Sequence, residues 1–218
     1  MKGLGRNVKF TMEFFIKLQI RCYLLMTIIT LLFLNWREGL RTFINEKAPT
    51  YVLGISLALV LINALENSNR YCVTAVSQGS ARKPAAGGMI VSHHLFVLLQ
   101  LAILGLLAIV SDSKGAMLVR TCPMLIIAVM LMIQGVGIAC ATLSMKERHV
   151  WAAVLLLGFI AIIIAVFVLF GWQHDFKLKI EMLEPYNNLL VLLPGVIFDL
   201  IGSVAYYKTV QKVDLKLA

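Results

Sequence analysis

The sequence predicts an all-α integral membrane protein, with six transmembrane helices preceded by an N-terminal amphipathic interfacial helix, in one domain over residues 1–218. Three observations predict it. Sixty per cent of the residues are hydrophobic and only 14% are charged, whereas a soluble domain is about half apolar and about a quarter charged. The apolar residues are clumped: the stretches 121–145 and 89–110 contain no Asp, Glu, Lys or Arg. Crossing a ~30 Å hydrocarbon core takes about 20 helical residues, so both stretches qualify. The connections between such stretches are short and polar, with no room for a soluble domain.

Taken in order, the expected spans cover 19–36, 49–65, 89–110, 121–145, 150–172 and 189–207. The second has the shortest apolar core. Ahead of them, Lys2, Arg6, Lys9, Glu13 and Lys17 recur at spacings of three and four, which places them on one helical face. Leu4, Val8, Met12 and Phe15 take the opposite face. Such a helix is expected to lie in the membrane interface, apolar side in lipid and cations toward headgroups.

Lys and Arg accumulate in cytoplasmic loops because they resist translocation. With the N-terminus inside, the inner segments hold 13 of the 20 Lys and Arg residues and the outer loops hold 7. The count predicts that both termini are cytoplasmic, in a multi-pass protein of the cell membrane. It also accounts for the net charge of +9 without nucleic acid, for which the chain has no RNP-like or zinc-finger pattern. Cys22, Cys72, Cys122 and Cys140 form no C-x-x-C pair, so neither a zinc site nor a disulfide framework is expected.

No enzyme constellation stands out. The chain has no G-x-x-x-x-G-K-[ST] loop, no H-E-x-x-H and no G-x-S-x-G. Asp199 falls near the middle of the last span, where an ionisable group must face the bundle interior or water and find a partner. Gln100 and Gln134, both in apolar spans, are the candidate partners. The patch either lines a substrate path or locks helices together by hydrogen bonds. His93 and His94, near the inner end of the third span, point about 100° apart on a helix; they are expected to be interfacial and not metal ligands. Gly135, Gly137, Gly195, Gly202 and Ser203 suit close helix packing. The longest inner loop, 66–88, suits contact with a soluble partner.

These features together resemble the small membrane subunit of bacterial ATP-binding-cassette exporters, the type-2 permease family. Members often open as Met1-Lys2-Gly3-Leu4 does, with a basic amphipathic helix. Glu66-Asn67-Ser68-Asn69-Arg70-Tyr71 resembles the acidic, Ser/Lys-rich and aromatic patch after their second span. Thr74 and Ser80-Ala81-Arg82-Lys83 loosely match a Thr leading to a Ser-Arg-Lys-like step, and Tyr207-Lys208 to Lys216 matches their Lys-rich tail. The chain departs from the family in lacking the usual Pro before the Ser-Arg step, in a longer loop, and in His93-His94 where Lys-Tyr is common.

The resemblance implies a permease that works with a separate cytoplasmic ATPase and a second permease copy, in membrane lipid. The chain itself would hold no cofactor, since ATP and Mg belong to the partner. Glu66, Arg70, Tyr71, Arg82, Lys83, Lys146, Glu147 and Arg148 would form the ATPase-coupling loops. Exported substrates in this branch are often amphipathic peptides or antibiotics. The alternatives are a six-span vitamin-binding subunit of an import system and an intramembrane lipid-modifying enzyme; the latter needs clustered acidic or histidine residues, of which only Asp199 stands out.

Overall fold

The computed structural model describes residues 2–33, 48–66, 68, 72–77, 79–111, 114–171 and 188–212. Among these, all regular structure is helical: α1 (Lys2–Phe33), α2 (Ala48–Glu66), α3 (Cys72–Ser77), α4 (Arg82–Val110), α5 (Lys114–Thr121), α6 (Pro123–Met145), α7 (His149–Gly171) and α8 (Leu189–Lys212). Three of them, α4, α6 and α8, are long and apolar enough to cross a membrane, which fits a membrane protein. The apolar stretches found on α2 and α7, Thr50–Glu66 and His149–Ala161, are shorter. The ends of the expected first and fifth spans, 34–36 and 172, lie outside the described residues.

The expected interfacial helix and first span are one continuous helix, α1, of 32 residues. The two-faced pattern holds, since Arg6, Lys9, Glu13 and Lys17 are exposed while Phe15 is buried. Lys17 Nζ donates to Glu13 at 2.8 Å, and that contact holds the Glu13 carboxyl below its ordinary range. The destination of the apolar face differs from expectation. The Phe15 ring packs edge-on against Phe96 of α4, centroids 5.6 Å apart, so this face packs on protein where lipid was expected. Asn7, Thr11 and Gln19 are buried on the same face, which the charge pattern alone did not reveal.

Contacts along each helix pair give the chain directions. Between α1 and α4 they rise together, from Asn7–Ser80 through Thr11–Met89 to Gln19–Gln100, so these helices run parallel. Thr50, near the start of α2, lies against Gly115 of α5, just ahead of α6, and Ala64, near the end of α2, lies against Gly137 of α6, so α2 runs parallel to the α5–α6 stretch. Gly195 meets Ala128 and Gly202 meets Gly135, which makes α6 and α8 parallel. Between α4 and α8 the order reverses, with Arg82 at Gln211 and His94 at Asp199. Helices α1 and α4 therefore point one way and α2, α6 and α8 the other, as an alternating path requires.

Helix α6 is the hub, flanked by α2, α7 and α8. It starts at Pro123, in its first turn, where a missing N–H leaves no extra unpaired donor. Its tightest neighbour is α8. A Cβ added at Gly202 would stand 2.6 Å from the Gly135 carbonyl oxygen, and one at Gly195 would stand 2.5 Å from that of Ala128. The small residues recur at seven-residue spacing on both helices, the pattern that lets backbones approach in a membrane where no hydrophobic force draws helices together. The packing role expected for Gly135, Gly137, Gly195 and Gly202 is what the structure gives them.

At the other end of α6 the chain reverses in three residues. Arg148 N–H donates to the Leu143 carbonyl and Glu147 N–H to that of Ser144, the paired bonds of a Schellman C-cap. The motif needs a left-handed residue, and Glu147 fills it at φ 60°. Helix α7 then folds back on α6, with Cys140 Sγ donating to the Ala152 carbonyl.

Helix α4 begins at Arg82, seven residues before the expected start of the third span, and α3 takes up more of the connection between α2 and α4. The expected 66–88 loop is thus largely helical. The shift also moves His93 and His94 inward, away from the helix end.

Candidate functional site

The buried stripe of α8 comprises Gly195, Asp199, Gly202 and Tyr206. The absent side chains at 195 and 202 bring the α6 backbone close, and Gln134, one residue before Gly135, reaches Asp199 as a result. Gln134 Nε2 donates to Asp199 Oδ1 at 2.6 Å. From α4, His94 Nε2 lies 2.8 Å from Asp199 Oδ2, and His94 Nδ1 lies 2.8 Å from the Ile90 carbonyl oxygen.

This geometry counts protons. A carbonyl oxygen only accepts, so Nδ1 carries a hydrogen. Nε2 then either donates to a carboxylate, making His94 an imidazolium, or accepts from a carboxylic acid. In both cases the pair shares one proton and has no net charge, which lowers the cost of ionisable groups at membrane depth. The same logic fixes the Gln134 amide, because its nitrogen is the end that can face a carboxylate.

Asp199 and His94 differ in access: the Asp199 side chain is 10% exposed and that of His94 is 42%. Around them, the Gln134 Oε1, Ser203 Oγ and both ring nitrogens of His93 are buried without hydrogen-bond partners among the described residues. Such orphaned buried atoms are uncommon and call for an account.

Of the two expected partners of Asp199, the structure brings in Gln134 and not Gln100. Gln100 lies six residues beyond His94, roughly 9 Å along α4, and meets a different cluster. Its Oε1 accepts from Tyr23 at 3.3 Å and from Gln19 Nε2 at 3.4 Å, while the Tyr23 hydroxyl lies 3.4 Å from Ser56 Oγ. Asp199 is not isolated, and His94, expected to be interfacial, sits twelve residues into α4, level with the stretch of α1 that meets Met89 and Phe96. With the helix ends the structure gives, His94 lies twelve residues from the start of α4 and Asp199 thirteen from the end of α8, so in antiparallel helices both lie roughly 18–20 Å from the same end of the bundle; the expected spans, 89–110 and 189–207, do not align them.

The expected coupling residues gather at one end of the bundle. Arg82 Nη1 is 3.5 Å from the Gln211 carbonyl of α8, and Lys83 follows it at the start of α4. Arg6 Nη2 donates to Ser80 Oγ at 3.2 Å, and Ser80 Oγ donates to Asn7 Oδ1 at 3.1 Å. Tyr206 donates to the Ser68 carbonyl at 3.4 Å. Glu66 closes α2, and Lys146, Glu147 and Arg148 form the α6–α7 turn. Arg70 and Tyr71 lie outside the described residues. No family model, no curated protein and no solved structure matches this chain.

Proposed function

We propose that this chain is the membrane-spanning permease subunit of an ATP-binding-cassette exporter, crossing the cell membrane six times, the first crossing being the later part of the continuous helix α1, with both termini cytoplasmic. A separate ATPase binds ATP and Mg, and two permease copies, identical or related, form the path for an amphipathic peptide or antibiotic. One observation carries this reading: the basic end of the bundle is tied together across the chain. The start of α1, the α2–α4 connection with its short helix α3, and the end of α8 are joined by Arg6–Ser80–Asn7, Tyr206–Ser68 and Arg82–Gln211. A push on α3 therefore reaches three long helices at once, which is what a partner outside the membrane needs in order to rock them. The positive-inside rule puts this end in the cytoplasm.

The test is coupling. Arg82→Glu and Arg148→Glu should leave the permease inserted and bound to its ATPase yet abolish substrate-stimulated ATP hydrolysis. Glu66→Arg and Arg70→Glu should do the same, and the double swap should restore part of it if the two residues pair. Full transport by all four single variants would remove this end from the mechanism. The His94–Asp199 pair also gives an acid–base couple, the feature an intramembrane lipid-modifying enzyme needs; lipid turnover by the pure chain would favour that class.

A further inference from the structure

We infer that the Asp199 cluster is a binding site for a hydrogen-bond-donating organic cation, the primary ammonium or guanidinium of an amphipathic molecule, and that His94 occupies it as an internal, displaceable cation. The inference rests on the permease reading for its use, since it names the charge of the substrate, but not for the binding itself.

The acceptors exceed the donors. Asp199 offers two carboxylate oxygens and is nearly enclosed. Gln134 has turned its nitrogen to Asp199 at 2.6 Å, which leaves its Oε1 as a buried acceptor with no donor among the described residues. Ser203 stands one helical turn beyond Asp199 on α8, and its hydroxyl is buried and unpartnered too. The Asp199 carboxylate meets Gln134 Nε2 from α6 and His94 from α4, and the residues beside it on α6 and α8 add two oxygens unpartnered among the described residues. An ammonium has three N–H donors and no acceptor, and a guanidinium has five, so either matches this set better than an imidazole with one N–H to spare.

His94 is the movable member. Its side chain is 42% exposed, against 10% for Asp199, so a rotamer change lifts it out without unpacking the core. It emerges beside Val91, Leu95 and Leu98, all exposed, which lie on the same face of α4 and offer an apolar bed for the tail of an amphipathic cation. Displacement balances in charge: the ammonium brings one positive charge to Asp199, and His94, no longer held by the carboxylate, releases its shared proton to water. The titratable groups facing the site are His93 and His94 from α4 and Asp199 from α8; α6 contributes Gln134, which does not titrate.

The test uses the full chain in lipid nanodiscs with no ATPase present, and hexylammonium chloride as probe against hexyltrimethylammonium chloride, which has no N–H. Hexylammonium should bind saturably and at least tenfold more tightly than the quaternary salt, should release protons at neutral pH, and should move the His94 imidazole ¹⁵N resonances of the wild-type chain. Asp199→Asn should weaken binding at least tenfold. His94→Ala should strengthen it several-fold, because a competitor is removed; a merely structural role for His94 would weaken it. Equal response to the two salts, an unmoved His94 resonance at saturation, or parallel losses in His94→Ala and Asp199→Asn would each overturn the inference. Proton occupancy alone would give a His94 resonance that follows pH and ignores hexylammonium, which also overturns it. None of these outcomes bears on whether an ATPase partners the chain.

Discussion

Replacing Gly135 with Ala tests how closely α6 and α8 are joined and whether that closeness builds the polar site. A Cβ at 135 would stand 2.6 Å from the Asp199 amide nitrogen, with the Phe198 carbonyl also inside contact distance. These are backbone atoms of a packed helix and cannot rotate aside. Ordinary contact at about 3.5 Å requires the helices to part by at least roughly 0.9 Å, a gap that forfeits a quarter to a half of each dispersion contact across the seam. Overpacking of this kind costs about 1–3 kcal/mol. The same movement stretches the Gln134–Asp199 bond, and intramembrane hydrogen bonds contribute up to about 1.7 kcal/mol. The sum, about 1–4.7 kcal/mol, raises the unfolding equilibrium constant roughly 5- to 2,000-fold. Reversible unfolding in mixed micelles measures it, with Gly105→Ala and Gly158→Ala as controls, since a Cβ at either site meets nothing within 4 Å. Removing glycine from an open helical position should stabilise by about 0.5–1 kcal/mol. A Gly135→Ala stability within about 0.5 kcal/mol of the controls, the ordinary scatter of surface substitutions, would refute the close α6–α8 seam.

Three further outcomes are expected. Asp199→Asn should preserve assembly, because an amide still bonds to Gln134 and His94, whereas Asp199→Leu should harm folding or transport; wild-type behaviour of the Leu variant in thermal melts and export assays would mean the carboxylate is merely tolerated. Glu147→Gly should raise the melting temperature, since it relieves a left-handed residue costing about 1 kcal/mol, and a lower melting temperature would show that the Glu147 side chain contributes more than its backbone costs. Cysteines introduced at 173–188 should react with impermeant reagent added outside and those at 66–88 should not; equal labelling of both would contradict the six-span path.

The helices were legible because the long uncharged stretches 89–110 and 121–145 leave the backbone no other way to satisfy its N–H and C=O groups in lipid. The glycine seam was legible for a related reason: Gly135, Gly195 and Gly202 interrupt long-chain apolar residues where only backbone approach explains them. Helix ends were harder. Lys83-Pro84 looks like loop, yet proline in a first turn interrupts no hydrogen bond, so α4 starts at Arg82 and holds His93 and His94 within the helix, three turns from its start. That one displaced helix start hid the His94–Asp199 pair. The packing of the α1 apolar face against α4 was illegible, because Phe15 suits lipid and Phe96 equally. Gln100 misled because composition says which polar groups need partners, while helix rotation decides which ones meet.

The most direct test of the permease assignment is native mass spectrometry of the tagged chain, extracted from its own membrane and purified gently. Two permease copies are expected with two copies of an ATP-hydrolysing subunit, and ATP turnover by the complex but none by the chain alone. A chain that purifies without any ATPase, or hydrolyses ATP by itself, would contradict it.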